Sequence, residues 1–236
     1  MAMIVLNKCR RLLKAYQEGL LGNQAMPEDT HPHFKNHELR LSYFTLPMAL
    51  NYQRDSYKLW QAALATYNDP ETHDVFKLNT PDLKTKLLKY KLALQPNKHI
   101  HTWKALQNTI LSKFGSFEEL FVFTDSDFLK LKELIQVNFK SEFPYLSGPK
   151  IFNYWSFIIS TYGRINLQNR QYIDIAPDAH VTRCSIILGV IREFEADNKI
   201  LISHRWRELL DGSGIDPIDM HSPLWFWSRN SFKFKL

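Results

Sequence analysis

The spacing of apolar residues along the chain predicts a protein built from helices. Apolar side chains recur three and four positions apart through most of the 236 residues, and only 8 glycines interrupt them. Proline, asparagine and aspartate separate the periodic segments, as they do at helix boundaries. The pattern predicts helices at 1–21, 37–48, 53–67, 81–94, 100–114, 116–121, 125–140 and 204–210, and one more helix within each of the segments 143–161 and 172–194.

Two segments lack this periodicity. Residues 23–36 are polar and contain proline, which predicts an exposed loop. His31 and His33 in this loop lack the cysteine or carboxylate partners of a metal site, so a solvated loop is the simpler interpretation. Near the C-terminus, the loop DGSGIDP is followed by a terminal segment, MHSPLWFWSRNSF, to which no helix is assigned.

The charge is concentrated in one part of the chain. The whole sequence carries a formal charge of +6, whereas the stretch from Lys77 to Lys113 has eight lysines and one acid, Asp82, for a net +7. A local surplus of this kind is typical of a face that contacts phosphates. The alternative is a solvated, lysine-rich helix surface.

Composition excludes several classes of protein. Two cysteines, Cys9 and Cys184, are too few for a zinc site or a four-cysteine iron–sulfur cluster, and they fit a reducing compartment. No apolar run is long enough to span a bilayer. The first 21 residues carry basic side chains within an apolar pattern and predict an amphipathic helix rather than a signal.

The segment FPYLSGPKIFNYWSFIIS places a lysine at the start of a buried helix. Ser147 or Gly148 can cap this helix, and Pro149 suits its first turn. Apolar residues at 151–159 surround nearly every face, so Lys150 is expected at the positive end of an enclosed helix. Desolvation there would favour a neutral amine able to attack the C1′ carbon of a nucleotide. The alternative is a lysine whose head group simply reaches water.

A carboxylate follows 28 positions later. In YIDIAPDAHVTRCSIILGVI, Asp178 opens another predicted helix, and aspartate is among the best N-cap residues. Besides capping, an ionised carboxylate held here could stabilise an oxocarbenium-like sugar and move protons during base loss.

These two elements resemble a known family. Gly-Pro-Lys at the start of one helix and Pro-Asp-Ala-His-Val-x-Arg at the start of another resemble the lysine and aspartate elements of the helix-hairpin-helix DNA glycosylase superfamily, and most of all the archaeal 8-oxoguanine DNA glycosylases. Three further segments agree in order and character, so that the resemblance spans roughly residues 40–228: LPMALNYQRDSYKLW (46–60), KIFNYWS (150–156) and GIDPIDMHSPLW (214–225).

The resemblance implies an all-α, two-lobed fold with a helix-hairpin-helix element. One lobe would comprise about 1–75 with 195–236 and the other about 76–194, with the site in the cleft between them. It further implies a bifunctional DNA N-glycosylase and lyase that removes 8-oxoguanine from double-stranded DNA through a Schiff base on Lys150. Such an enzyme needs no metal or cofactor, and we expect a cytoplasmic, nucleoid-associated monomer.

The family's pocket can be carried over residue by residue. Gln53 would hydrogen-bond the flipped base, which Tyr154 and Trp225 would sandwich. His221 stands where the family has a pocket aspartate, and the nearby Asp219 is displaced by two positions, so base specificity is open. The remaining implied site residues are Pro177 in the pocket, and Gly148, Asn97, Lys98 and His99 on the DNA-binding face.

Two other functions fit the same residues. An N-glycosylase acting on a free nucleoside or nucleotide would keep Lys150 or Asp178 without needing a basic face. A non-catalytic binder of damaged DNA would keep the basic face without needing a reactive lysine. Neither alternative is excluded by the sequence.

Overall fold

The computed structural model of the chain describes residues 2–52, 54–71 and 78–236, and it confirms the predicted all-α class. The only strand-like pairing among these residues is an isolated bridge between Asp127 and Gln168. The described helices are α1 (Ala2–Gln17), α2 (His37–Thr45), α3 (Ser56–Tyr67), α4 (Thr80–Lys89), α5 (Pro96–Thr109), α6 (Phe117–Phe123), α7 (Phe128–Glu133), α8 (Pro149–Thr161), α9 (Ala179–Leu188), α10 (Lys199–Leu210) and α11 (His221–Arg229).

Short polar side chains start most of these helices. In each case a side-chain oxygen at the N-cap accepts a hydrogen bond from an N–H of the first turn, which has no partner within the helix. The asparagine, aspartate and serine positions that punctuate the sequence therefore have a structural role. The residues that cap in this way are Asn36 (α2), Asp55 (α3), Asn79 (α4), Ser116 (α6), Asp127 (α7), Asp178 (α9) and Asn198 (α10).

The chain divides into two compact units. One comprises Met1–Ala25 with Asn169–Leu236, and the other comprises Met26–Gln168. We call them the terminal unit and the central unit. The resemblance predicted the lobes 1–75 with 195–236, and 76–194. Residues 26–75 instead group with the central unit, where α2 packs against α6 and α8, and residues 169–194 group with the terminal unit, where α9 packs against α11.

Aromatic side chains fill the core of the central unit. Trp155 of α8 is fully buried, stacks against Phe121 of α6 at 6.1 Å between ring centroids, and donates its indole N–H to Thr45 Oγ1 of α2 at 3.0 Å. Burying large rings contributes most of the apolar stabilisation of such a core. Other fully buried rings here are Tyr43, Phe44, Trp60, Trp103, Phe117, Phe128, Phe143 and Phe152.

The core of the terminal unit joins α9, α10 and α11. Trp206 of α10 is fully buried and donates its indole N–H to Ser185 Oγ of α9 at 2.8 Å. Cys184 of α9 is also buried, and its thiol donates to the carbonyl of Leu224 in α11. Burial and the nearby Asp178 carboxylate raise the pKa of this thiol to about 12, so it remains protonated.

Several local predictions are corrected. The terminal segment forms helix α11, and Pro223 is tolerated in its first turn, where a missing N–H removes no helical hydrogen bond. Helix α9 ends at Leu188, within the predicted segment 172–194, and the following Gly189 has a left-handed φ of 75°. The ends of the predicted helices 100–114 and 125–140 are π-helical turns, Ile110–Phe114 and Leu134–Asn138.

The loop at 23–36 differs most from its prediction. It was expected to be exposed, but Met26, Pro27 and Glu28 within it are buried. A polar composition averaged over the loop does not reveal which of its residues turn inward.

Nothing in the described part of the chain resembles a transmembrane helix: none of these helices combines the length and the apolar character that crossing a membrane would demand.

Candidate active site

The start of α8 holds Lys150 in a defined turn. Gly148 is the N-cap, and Pro149 is the first helical residue, as predicted. The carbonyl of Gly148 accepts the N–H of Phe152 at 2.8 Å, and the carbonyl of Pro149 accepts the Asn153 side-chain amide at 2.8 Å. These bonds fix the backbone that carries the lysine.

Lys150 itself is exposed, which corrects the prediction that it is shielded from water. The apolar residues that enclose α8 begin after it: Ile151 is half-buried and Phe152 is the first fully buried side chain. Among the described residues of the central unit, none forms a hydrogen bond or ion pair with the Lys150 side chain. The positive helix end is therefore present in the free protein, but desolvation of the amine is not.

One face of α8 combines this lysine with aromatic rings. Ile151, Tyr154 and Phe157 are half-buried, while the residues between them are buried. Tyr154 lies one turn after Lys150, and its ring stacks on that of Phe157 at 6.0 Å between centroids. The structure thus brings two of the predicted site residues, Lys150 and Tyr154, onto the same helix.

Tyr154 is also tied to a buried carboxyl group. Its hydroxyl donates to Glu28 Oε1 at 3.0 Å, and the indole N–H of Trp60 donates to the same oxygen at 2.7 Å. Glu28 is fully buried, and its Oε2 atom has no hydrogen-bond partner among the described residues. Burial raises the pKa of Glu28 to about 7, against the opposing effect of the hydrogen bonds from its own N–H, Tyr154 and Trp60.

Sequence reasoning missed Glu28 because nothing local marks it. It lies in a polar loop between helices, where no periodicity indicates burial, and its partners are 32 and 126 positions away. The local sequence, Met26 and Pro27 followed by the adjacent acids Glu28 and Asp29, does not indicate which of the two carboxyl groups turns inward.

Asp178 lies in the terminal unit as the N-cap of α9. It is half-buried, and its Oδ1 accepts the N–H of Val181 at 2.8 Å. Pro177, which was placed in the pocket, is buried beside it. One carboxylate oxygen is thus used in capping, which accounts for an aspartate here without any reference to catalysis.

Trp225 lies in the same unit on α11 and is half-buried. The guanidinium of Arg229 lies over its ring at 4.8 Å from the centroid, and the ring of His180 meets its edge at 5.3 Å. His180 is held in turn by a 3.0 Å hydrogen bond between its Nδ1 and Ser228 Oγ. One face of the indole is therefore covered by a cation, and a stacked base would use the other face or displace Arg229.

The two polar candidates before Trp225 have different environments. His221 is buried and begins α11. Asp219, the displaced carboxylate, pairs with Arg170, which also binds Asp216 at 2.8 Å. An aspartate engaged with a guanidinium stabilises the local fold and is poorly available to a base.

The predicted DNA-binding residues separate into exposed and buried ones. Asn97 and Lys98 are exposed in the first turn of α5. His99 is buried, and its Nδ1 accepts the N–H of Leu94 at 3.1 Å, so it supports the loop rather than the surface. Gln53, predicted to contact the base, lies outside the described residues.

The lysine-rich stretch is partly neutralised by acids from outside it. Burial alone would raise the pKa of Asp69, but hydrogen bonds from Lys86 and Tyr90 hold it well below its usual range. Counting charges along the sequence therefore overstates the charge available to a ligand. The ion pairs are Lys86 with Asp69 and Glu71, Lys89 with Asp69, and Lys113 with Glu142.

A cleft of about 530 Å³ also lies in the terminal unit, lined by Tyr172, Arg207, Asp211 and Asp216 among others. None of the predicted site residues lines it. Across residues 2–52, 54–71 and 78–236, no three histidine, cysteine or acidic side chains are grouped so that they could hold a metal ion.

Comparison with known proteins identifies no family. No protein-family model matches the chain, and no curated protein matches it either.

Proposed function

We propose that the protein is a DNA N-glycosylase with lyase activity that removes an oxidised purine, with 8-oxoguanine as the preferred base. The observation that carries this proposal is the setting of Lys150: an accessible amine at the N-terminus of α8, without an ion pair among the described residues, one turn before a half-exposed aromatic face. The glycosylase and lyase reaction is chosen because of the sequence resemblance. The structural feature that supports it is a lysine that a nucleotide could reach.

The proposed reaction begins with the Lys150 amine, which must lose a proton before it attacks. Its nitrogen bonds to the sugar C1′ while the C1′–N9 bond breaks, and the base leaves with the bonding electrons and takes up a proton. The nitrogen then loses a proton and the C1′–O4′ bond breaks, with O4′ taking up a proton, which yields the C1′=N Schiff base. Removal of a C2′ proton forms the C2′–C3′ double bond while the C3′–O3′ bond breaks, so that the phosphate leaves and the strand is nicked.

Substrate binding would supply the desolvation that the free protein lacks. A duplex covering the N-terminus of α8 would remove water from around the amine, so this desolvation would arise only in the complex. The exposure of Lys150 is thus compatible with the proposal, provided that the amine becomes reactive only in the complex.

The other candidates have roles that their environments allow. The proposal assigns to the Asp178 carboxylate the stabilisation of the positive sugar and the transfer of protons, for which its second oxygen remains. Tyr154 and Trp225 would stack on the everted base.

The first experiment is borohydride trapping on a duplex that contains 8-oxoguanine. Wild-type protein is expected to form a covalent adduct, because only a Schiff base is reduced to a stable link. Lys150→Gln is expected to abolish the adduct and to retain lesion binding. Lys140→Gln, which changes another exposed lysine of the central unit, serves as the control and should trap as the wild type does.

A non-catalytic binder of damaged DNA is the second candidate, and the exposure of Lys150 favours it. It predicts lesion binding without any trapped adduct. Full lyase activity in Lys150→Gln would instead remove this lysine as the nucleophile.

A further inference from the structure

Two tyrosines and a lysine form an accessible cluster on the central unit. The rings of Tyr52 and Tyr145 lie 5.6 Å apart between centroids, with 41° between their planes. Lys98 Nζ lies 5.5 Å from the first centroid and 4.9 Å from the second. Tyr52 is 44% exposed, Lys98 is exposed and Tyr145 is half-buried, so a ligand can meet both rings and the cation together.

Hydrogen bonds hold the segments that carry this cluster. Arg54, two residues after Tyr52, donates to the carbonyl of Leu92 at 2.7 Å and so ties its segment to the loop before α5. The carbonyl of Tyr145 accepts the N–H of Gly148 at 3.0 Å, which ties it to the start of α8. The segments that carry the two tyrosines are therefore held in place before a ligand arrives.

The local field is positive. Burial lowers the pKa of His99, and the charges of Arg54 and Lys98 lower it further, which shows that these cations lie close together. None of the described carboxylates forms an ion pair with Lys98. Two acids lie three positions from the tyrosines along the chain: Asp55 accepts the N–H of Lys58 at 2.9 Å as a helix cap, and Glu142 pairs with Lys113 at 3.3 Å. Anions are therefore favoured over cations at this surface.

We propose that Tyr52, Tyr145 and Lys98 bind an unpaired nucleotide of a DNA strand. A base would stack on the tyrosine rings by displacing the Lys98 ammonium from their faces, and the ammonium would then meet the adjacent phosphate. Aromatic rings beside a cation are the combination that binds single strands without sequence preference, because every base has a π-face and every link a phosphate. This inference rests on the proposed function only in taking DNA as the polymer; it needs no chemistry at Lys150.

Two short oligomers separate stacking from charge. One is a ten-nucleotide oligothymidylate, and the other is an abasic oligomer with the same number of phosphates. In fluorescence polarisation, Tyr52→Leu and Tyr145→Leu are each expected to weaken oligothymidylate binding about 5- to 100-fold and to leave abasic binding within about twofold. Lys98→Ala is expected to weaken both and to lower the slope of log affinity against log salt by about 0.7.

Conservative and matched variants complete the test. Tyr52→Phe and Tyr145→Phe keep the rings and are expected to bind like the wild type. Phe194→Leu alters another surface aromatic, 79% exposed, beneath Arg192 at 5.8 Å, and should leave both affinities unchanged. Thermal unfolding of each variant verifies that it is folded. Should one leucine variant fail to fold, the other carries the test.

Each outcome bears on this proposal separately from the enzymatic one. Leucine variants that bind oligothymidylate as the wild type does, or that lose both oligomers equally, overturn the stacking surface even if borohydride trapping succeeds. Selective loss of oligothymidylate binding supports the surface even if trapping fails. Wild-type protein that binds neither oligomer overturns it outright.

Discussion

At the scale of single residues, the environment decides what a carboxyl group can do. Glu28 and Asp178 have the same functional group, yet one is fully buried against Trp60 and Tyr154 while the other caps a helix at half-burial. Burial favours the protonated form of Glu28 and raises its pKa from 4.5 to about 7. The protein is thereby sensitive to pH near neutrality at a group adjacent to Tyr154.

This shift predicts how stability depends on pH. Between pH 4.5 and 7 the folded protein holds a proton on Glu28 that the unfolded chain has lost, so the free energy of unfolding falls as the pH rises. The protonated Glu28 contributes about 3 kcal/mol to the free energy of unfolding at low pH, and this contribution is lost once the pH exceeds the pKa of Glu28 in the folded protein. Urea unfolding at pH 5 and pH 8 measures this decrease in the free energy of unfolding. Tyr43, Tyr154 and Asp29 are titratable groups that interact with Glu28.

Glu28→Gln isolates this contribution. The amide carbonyl can still accept from Trp60 and Tyr154, but the side chain no longer ionises, so the decrease between pH 5 and pH 8 should be smaller than in the wild type. Glu133→Gln changes an exposed carboxyl on α7 and should retain the wild-type dependence. An unchanged dependence in Glu28→Gln would show that this carboxyl ionises freely.

At the scale of elements, helix N-termini combine capping with candidate chemistry. Lys150 stands in the first turn of α8, which Pro149 favours as its first residue, and Asp178 caps α9. The sequence predicted both starts correctly, because caps and first-turn prolines are local signals. It missed α11, which packs against α9 through residues far away in the chain.

Capping and catalysis at Asp178 can be separated by two substitutions. Asparagine caps as well as aspartate, so Asp178→Asn should keep the free energy of unfolding and reduce base excision about 100- to 1,000-fold through the lost charge. Asp178→Ala should lose the cap as well and cost about 1 kcal/mol of stability. Single-turnover excision and urea unfolding measure the two effects.

Asp127→Asn supplies the comparison for this pair. It makes the same change at the cap of α7 and should keep both stability and excision. A near-normal excision rate in Asp178→Asn would show that Asp178 acts only as a helix cap.

At the scale of the whole molecule, folding redistributes the charge that the sequence concentrates. Three lysines of the 77–113 stretch pair with acids, whereas Lys84, Lys91 and Lys98 are exposed and have no described acidic partner. Lys86 and Lys89 pair with the buried Asp69 carboxylate, and Lys113 pairs with the more exposed Glu142. All three pairs remove cations from the set available to phosphates.

Duplex binding should therefore depend on salt through the unpaired lysines. Lys91→Ala is expected to lower the slope of log affinity against log salt by about 0.9, the value for one phosphate contact on duplex DNA. Lys113→Ala removes a lysine paired with Glu142 at 3.3 Å and should leave the slope unchanged. Equal effects of the two substitutions would show that pairing does not control which lysines meet DNA.

The sequence by itself determined the helical class, most helix starts and the positions of Lys150 and Asp178 at two of them, because periodicity, caps and proline act over a few residues. Only the tertiary structure decided that Lys150 is exposed, that Glu28 is buried against Tyr154, that Asp219 is engaged by Arg170 and that acids neutralise part of the basic stretch. Each of these depends on residues far apart in the chain. Burial and charge pairing are properties of the folded neighbourhood, and no local pattern contains them.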